Sequence, residues 1–220
     1  MPADTTPYIV SRSHSGALYA RVYALVGALL GVTAFSAHWG MAHPLFVERH
    51  FWFIVIATFA GIFLLRAVRA VSILGLGVAA GISGALGLEV SPLMGHFLAV
   101  NPALVGNVAV STAALFGGLS LYAAFSRRNF QALSGFLVAG VLLAVVSTLV
   151  NIFWLHNPAL QSAIEGVVVL AFSGLILVDT QRIMSASSTP GGAISVAVGL
   201  YLDILNIFIA LLEIFGGGRK

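Results

Sequence analysis

Two aspartates stand where a carboxylate is hard to keep. Asp203 lies about ten residues into the apolar run 193–215, and Asp179 lies near the end of the preceding run, 162–182. A carboxylate at the centre of a membrane helix costs roughly 2.5–3.5 kcal/mol on insertion scales. Residue 191, inside Pro190-Gly191-Gly192, is the midpoint of the two positions. A helical hairpin closing there brings both acids to one depth, at most about 18 Å from the turn, and less where Ser187–Thr189 unwinds. Two carboxylates at one level in a low dielectric do not both ionise cheaply. They share a proton, titrate as a pair or recruit a cation. The plainer alternative is a structural pair neutralised by Arg66, Arg69 or Arg182.

The remaining acids call for less. Asp4, Glu48 and Glu89 fall in the N-terminal tail or at expected span ends, and Glu165 and Glu213 lie within about a turn of the far ends of the last two runs. Asn206 sits three residues after Asp203 on the same helical face and is a candidate to line the same site. The six histidines fall in the tail, loops or span ends, where solvated interfacial side chains account for them. Without cysteine there is neither thiolate chemistry nor a disulfide framework.

Three enzyme readings fail on detail. An intramembrane aspartyl protease also places two aspartates on adjacent helices, one as acid and one as base. Its usual Gly-x-Gly-Asp is replaced here by Leu200-Tyr-Leu-Asp203, and Pro-Ala-Leu precedes both aspartates. Gly81-Ile-Ser-Gly84 resembles a serine-protease motif, but no histidine is placed deep enough to serve as its base. Gly75-Leu-Gly77 resembles a phosphate loop, yet it sits inside an apolar helix with no strand before it. The chain is expected not to be an enzyme.

The elements that must position these residues are membrane helices. Of 220 residues, 60% are hydrophobic and 8% charged, against about 25% charged in a soluble domain. A spanning helix needs about 20 apolar residues. Such runs occur at 19–38, 51–66, 71–88, 104–125, 133–155, 162–182 and 193–215, broken at His43-Pro44, Ser91-Pro92, Asn101-Pro102, Arg127-Arg128, Asn157-Pro158 and Pro190-Gly191. The organisation predicted is a tail over 1–18, one seven-helix domain over 19–215 and a short tail over 216–220. Glycines 77, 81 and 84, and 27 with 31, recur at helical spacing and are expected to let helices approach closely. Arginine bias sets orientation: an inward N-terminus places Arg12, Arg21, Arg66, Arg69, Arg127, Arg128 and Arg182 on the cytoplasmic side. Arg49, Arg219 and Lys220 then lie outside, with the tail pair inside instead if the last segment is re-entrant. Scattered charge gives no nucleic-acid patch.

Phe172-Ser-Gly-Leu-Ile-Leu-Val-Asp-Thr-Gln-Arg-Ile183 and Leu200-Tyr-Leu-Asp-Ile-Leu-Asn-Ile-Phe208 resemble the two C-terminal motifs of the Bax inhibitor family. Arg21-Val-Tyr23, Phe116-Gly-Gly-Leu-Ser-Leu-Tyr-Ala123, Ser126-Arg-Arg-Asn-Phe130 and Asn151-Ile-Phe153 agree with it, so the likeness runs from residue 21 to 215. It implies an all-α polytopic fold in which two three-helix layers wrap a central C-terminal helix. It also implies a pH-sensitive calcium leak with Asp179 and Asp203 as sensor and gate, and a latch arginine, Arg66 or Arg69, on the second helix. Calcium takes 6–8 oxygens, so the pair would need Asn206, backbone carbonyls or water and would bind weakly, with no tightly bound cofactor. Some bacterial relatives regulate a membrane protease, which needs no ion transport and is the competing expectation. A multi-pass protein of a bacterial inner membrane is expected, with the lipid bilayer, calcium and a membrane protease as its partners.

Overall fold

The computed structural model describes residues 9–67, 72–185 and 190–217. Within them the chain forms seven long helices: α1 (Ile9–Ala42), α2 (Pro44–Ala67), α3 (Ser72–Val100), α4 (Pro102–Phe125), α5 (Ser134–Val150), α6 (Pro158–Ser185) and α7 (Pro190–Gly217). A 3-10 turn, Phe130–Leu133, precedes α5, and a π turn, Asn151–Leu155, follows it. All seven helices are long and apolar enough to cross a bilayer, where each backbone must satisfy its own hydrogen bonds. No strand occurs among the described residues.

Several boundaries depart from the sequence reading. α1 begins at Ile9, inside the segment expected to be a tail. α2 begins at Pro44 rather than 51, because a proline at the first helical position has no N–H that the helix would miss. α3 passes straight through Ser91-Pro92, which the sequence marks as a break. Pro92 cannot donate to the Leu88 carbonyl, and the Ser91 hydroxyl donates to it instead at 2.8 Å. The break comes at Asn101-Pro102, where the Asn101 side chain accepts from Leu104 N at 3.2 Å. Pro190-Gly191-Gly192 forms the first turn of α7 and is not itself the turn.

α1 and α2 flank α3 in one layer, α4 and α5 flank α6 in the other, and α7 runs between them. Its two faces are both covered. Ala193, Ala197, Leu200, Ile204 and Ile207 pack with Val22, Val26, Ile176 and Ile183. Ile194, Val198, Tyr201 and Leu205 pack with Leu29, Leu65, Ala79 and Ile82. The most apolar stretch of α7 is 56% buried, against 11% for α5, whose Phe136, Leu142, Leu143 and Val146 face outward.

Lipid tails are as apolar as leucine, so helices here associate by close packing. The expected glycine stripe does not supply it. Methyl groups on Gly27, Gly31, Gly77 or Gly81 would meet nothing within 4 Å, and one on Gly84 would barely reach Val32. The close approach lies one turn further along α3, where Gly87 abuts the α1 backbone at Thr33 and Ala37, with Gly40 of α1 against Ser91.

Candidate functional site

The C-terminal helix hairpin places each residue of the Asp-Thr-Gln run against a different neighbour. Asp179 is 8% exposed and faces α7, where its Oδ2 packs on Gly199. Its Oδ1 accepts from Arg182 Nη1 at 2.7 Å, across one helical turn. Thr180 is fully buried and turns toward α4, with its hydroxyl 3.4 Å from that of Ser120. Gln181 pins the loop after α4: its Oε1 accepts from Phe130 N at 2.8 Å and its Nε2 donates to Arg128 O at 2.6 Å.

The Tyr-Leu-Asp run does the same for α7. Tyr201 is fully buried, and its hydroxyl lies 2.6 Å from that of Thr33 on α1. Thr33 also bonds Ser83 O of α3 at 3.0 Å, so one polar contact ties α1, α3 and α7 together. Asp203 is 4% exposed, and its Oδ2 is buried without a hydrogen bond. Asp179 and Arg182 are the charges that act on it.

The two aspartates share a seam but not a depth, which corrects the hairpin estimate. Asp179 meets Gly199, four residues or about 6 Å of helix rise before Asp203. The contact pivots on residue 189 rather than 191, because the prolyl-glycyl segment belongs to α7. Asn206 is half-buried and donates its Nδ2 to Leu202 O at 2.7 Å, on its own helix. The side chain of Arg66 and the whole of Arg69 lie outside the described residues, so the arginine seen at Asp179 is Arg182, on α6.

Sequence reasoning passed over three further acids of interest. Glu89 is not at a span end: with α3 continuing to Val100 it sits within the membrane span Ile73–Val100, bonded to the Thr58 hydroxyl of α2 at 2.5 Å. Glu165 and Glu213 face one another at the far end of the α6/α7 seam. Behind them the Asn151 side chain donates to Gln161 Oε1 at 3.1 Å, and Gln161 Nε2 donates to Glu165 Oε1 at 2.7 Å. The signal was present. Residue 189 is also the midpoint of 165 and 213, so a correctly placed pivot pairs them.

The histidines at that end serve their own helices. His43 and His50 direct Nδ1 to the carbonyls of Trp39 and Phe46, each at 2.9 Å. No cluster of three or more His, Asp or Glu side chains suited to a metal occurs among the described residues.

The family described as "Inhibitor of apoptosis-promoting Bax1" matches residues 16–220. The chain belongs to the Bax inhibitor family. Among relatives of this Bax inhibitor protein, the inner membrane protein YbhL of Escherichia coli is 32% identical over 220 residues, covering 91% of each chain. An uncharacterized membrane protein of Vibrio cholerae is 35% identical over 136 residues, 61% of this chain and 60% of that one. The modulator of FtsH protease YccA of Escherichia coli is 35% identical over 135 residues, again 61% of this chain and 60% of YccA. The alignments with the Vibrio protein and YccA thus span less than two thirds of those relatives. The seven spans and the inner-membrane relative YbhL together support a multi-pass protein of a bacterial inner membrane.

Proposed function

We propose that this Bax inhibitor protein regulates a membrane protease, with the Asp179–Asp203 seam as the switch that sets its state. The observation that carries this reading is the likeness to YccA, which is described as a modulator of FtsH protease. The site suits a switch: an unbonded carboxylate oxygen on the most enclosed helix, with a paired carboxylate one turn away, responds to any change in charge beside it. The test is turnover of a membrane substrate of FtsH in bacteria with the chain present, absent, or carrying Asp203→Asn. Presence of the chain should alter the half-life and the substitution should change that effect. Equal half-lives in all three strains would sink the reading.

A second output is favoured by Asp203 itself. A pH-sensitive calcium leak would use Asp179 and Asp203 as sensor and gate, with weak calcium contact completed by water, backbone carbonyls or Asn206. Calcium is the substrate in this reading, and the two buried carboxylates one turn apart on the same seam are the groups that would meet it. Purified protein in calcium-loaded liposomes decides it, since a regulator that moves no ions gives no flux at any pH.

A further inference from the structure

The two layers do not close over α7 on every side. α1 and α4 meet where Tyr23 and Phe116 touch edge to face at 5.8 Å, but otherwise hardly pack on one another. Beyond that contact lies a cleft of about 490 Å³. Its rim is made of exposed small residues, Gly27 and Ala34 on α1, Ala109 and Ala113 on α4. Its floor is α7, at Ile204, Leu205 and Phe208. Met94 of α3 stands at the end away from Tyr23.

We propose that this cleft is a lateral window that takes the acyl chain of a bilayer phospholipid onto the central helix. Four features select that occupant. The cleft is centred on the spans of α1 (Gly16–Ala42) and α4 (Pro102–Phe125), so it opens at the middle of the bilayer, where hydrocarbon is the only solvent. It runs along α1 from Tyr23 to Ala37, about 21 Å at 1.5 Å per residue, which is the shape of a chain lying parallel to its neighbours. The Tyr23–Phe116 contact and Met94 obstruct its two ends, so a guest comes from the side. Its lining carries no charged side chain to hold a head group: Thr33 is engaged with Leu29, Ser83 and Tyr201, which leaves the Thr112 hydroxyl as a single neutral group. The void at Gly27, where an added methyl meets nothing within 4 Å, is then filled by lipid rather than by protein.

The test uses the wild-type protein in liposomes that contain a phosphatidylcholine with a photoactivatable diazirine near the end of one acyl chain. After irradiation, peptide mass spectrometry should find adducts at residues 204–208 of α7 as well as on outward residues such as Leu142. Gly27→Leu with Ala113→Leu, which fills the window, should lower the α7 adducts at least fivefold and leave Leu142 labelled. Labelling at Leu142 without adducts at 204–208, or α7 adducts that persist in the filled variant, would overturn the proposal. The Leu142 label and retained helicity by circular dichroism show in the same experiment that the variant is folded and inserted. Neither protease modulation nor calcium flux enters the readout, so this result stands apart from theirs.

Discussion

Asp203 carries a carboxylate into the bundle at a cost of roughly 2.5–3.5 kcal/mol, and one of its oxygens has no hydrogen bond in return. Groups kept at such expense are commonly used for something other than stability. Asp203→Leu is therefore expected to raise the melting temperature of the purified protein in detergent. A fall would show that the carboxylate holds the helices together. Calcium flux, if present, should lose its pH dependence in Asp179→Asn and Asp203→Asn, since an amide does not titrate; an unchanged profile in either variant removes the aspartates from the mechanism. Gly199→Ala offers a subtler probe. The added methyl would collide with Asp179 Oδ2, the far end of a side chain that can swing away. It should therefore shift the midpoint of the pH response, where Asp179→Asn flattens it, while leaving the unfolding free energy within about 1 kcal/mol of wild type.

Single helices show why some features were legible in the sequence and others were not. Length and apolarity revealed all seven spans, and two aspartates in apolar runs stood out against them. Ser91-Pro92 misled because proline is a breaker only when nothing takes over its lost hydrogen bond, and the Ser91 hydroxyl does so. A double-mutant cycle checks this. Ser91→Ala should cost about 1 kcal/mol by stranding the Leu88 carbonyl. In a Pro92→Ala background, where an N–H returns to that carbonyl, the same change should cost measurably less. Equal costs would mean the hydroxyl is not compensating for Pro92. Misplacing that break also hid Glu89, which then read as a span-end acid. The glycine stripe failed for a different reason: spacing shows which glycines share a face, but which face meets a neighbour depends on the whole bundle.

For the molecule as a whole, arginine bias predicts the N-terminus inside. Reporter fusions after Arg128 and Arg182 should read cytoplasmic and one after Asn157 external; the opposite pattern would invert every statement about which side the site faces. The layered arrangement was implied by family resemblance, while the depth of the site depended on one unlooked-for quantity, the register of α6 against α7. That register sets Glu165 opposite Glu213 at one end and Asp179 opposite Gly199 at the other. Sliding α7 by one turn, a displacement known in switching proteins, would bring Asp203 level with Asp179 and at once part the two glutamates. The acid pairs at opposite ends of the bilayer are thus antithetic: the hairpin can close one only by opening the other. Since the chain has no native cysteine, Phe172→Cys with Asn206→Cys, one heptad from both the Asp179–Gly199 and the Glu165–Glu213 contacts, reports the present register by disulfide formation, and Phe172→Cys with Ala210→Cys reports the shifted one. Acting as a two-position slide rule, the hairpin should trade the first crosslink for the second when Glu165 and Glu213 are both replaced by Lys, whose like charges repel.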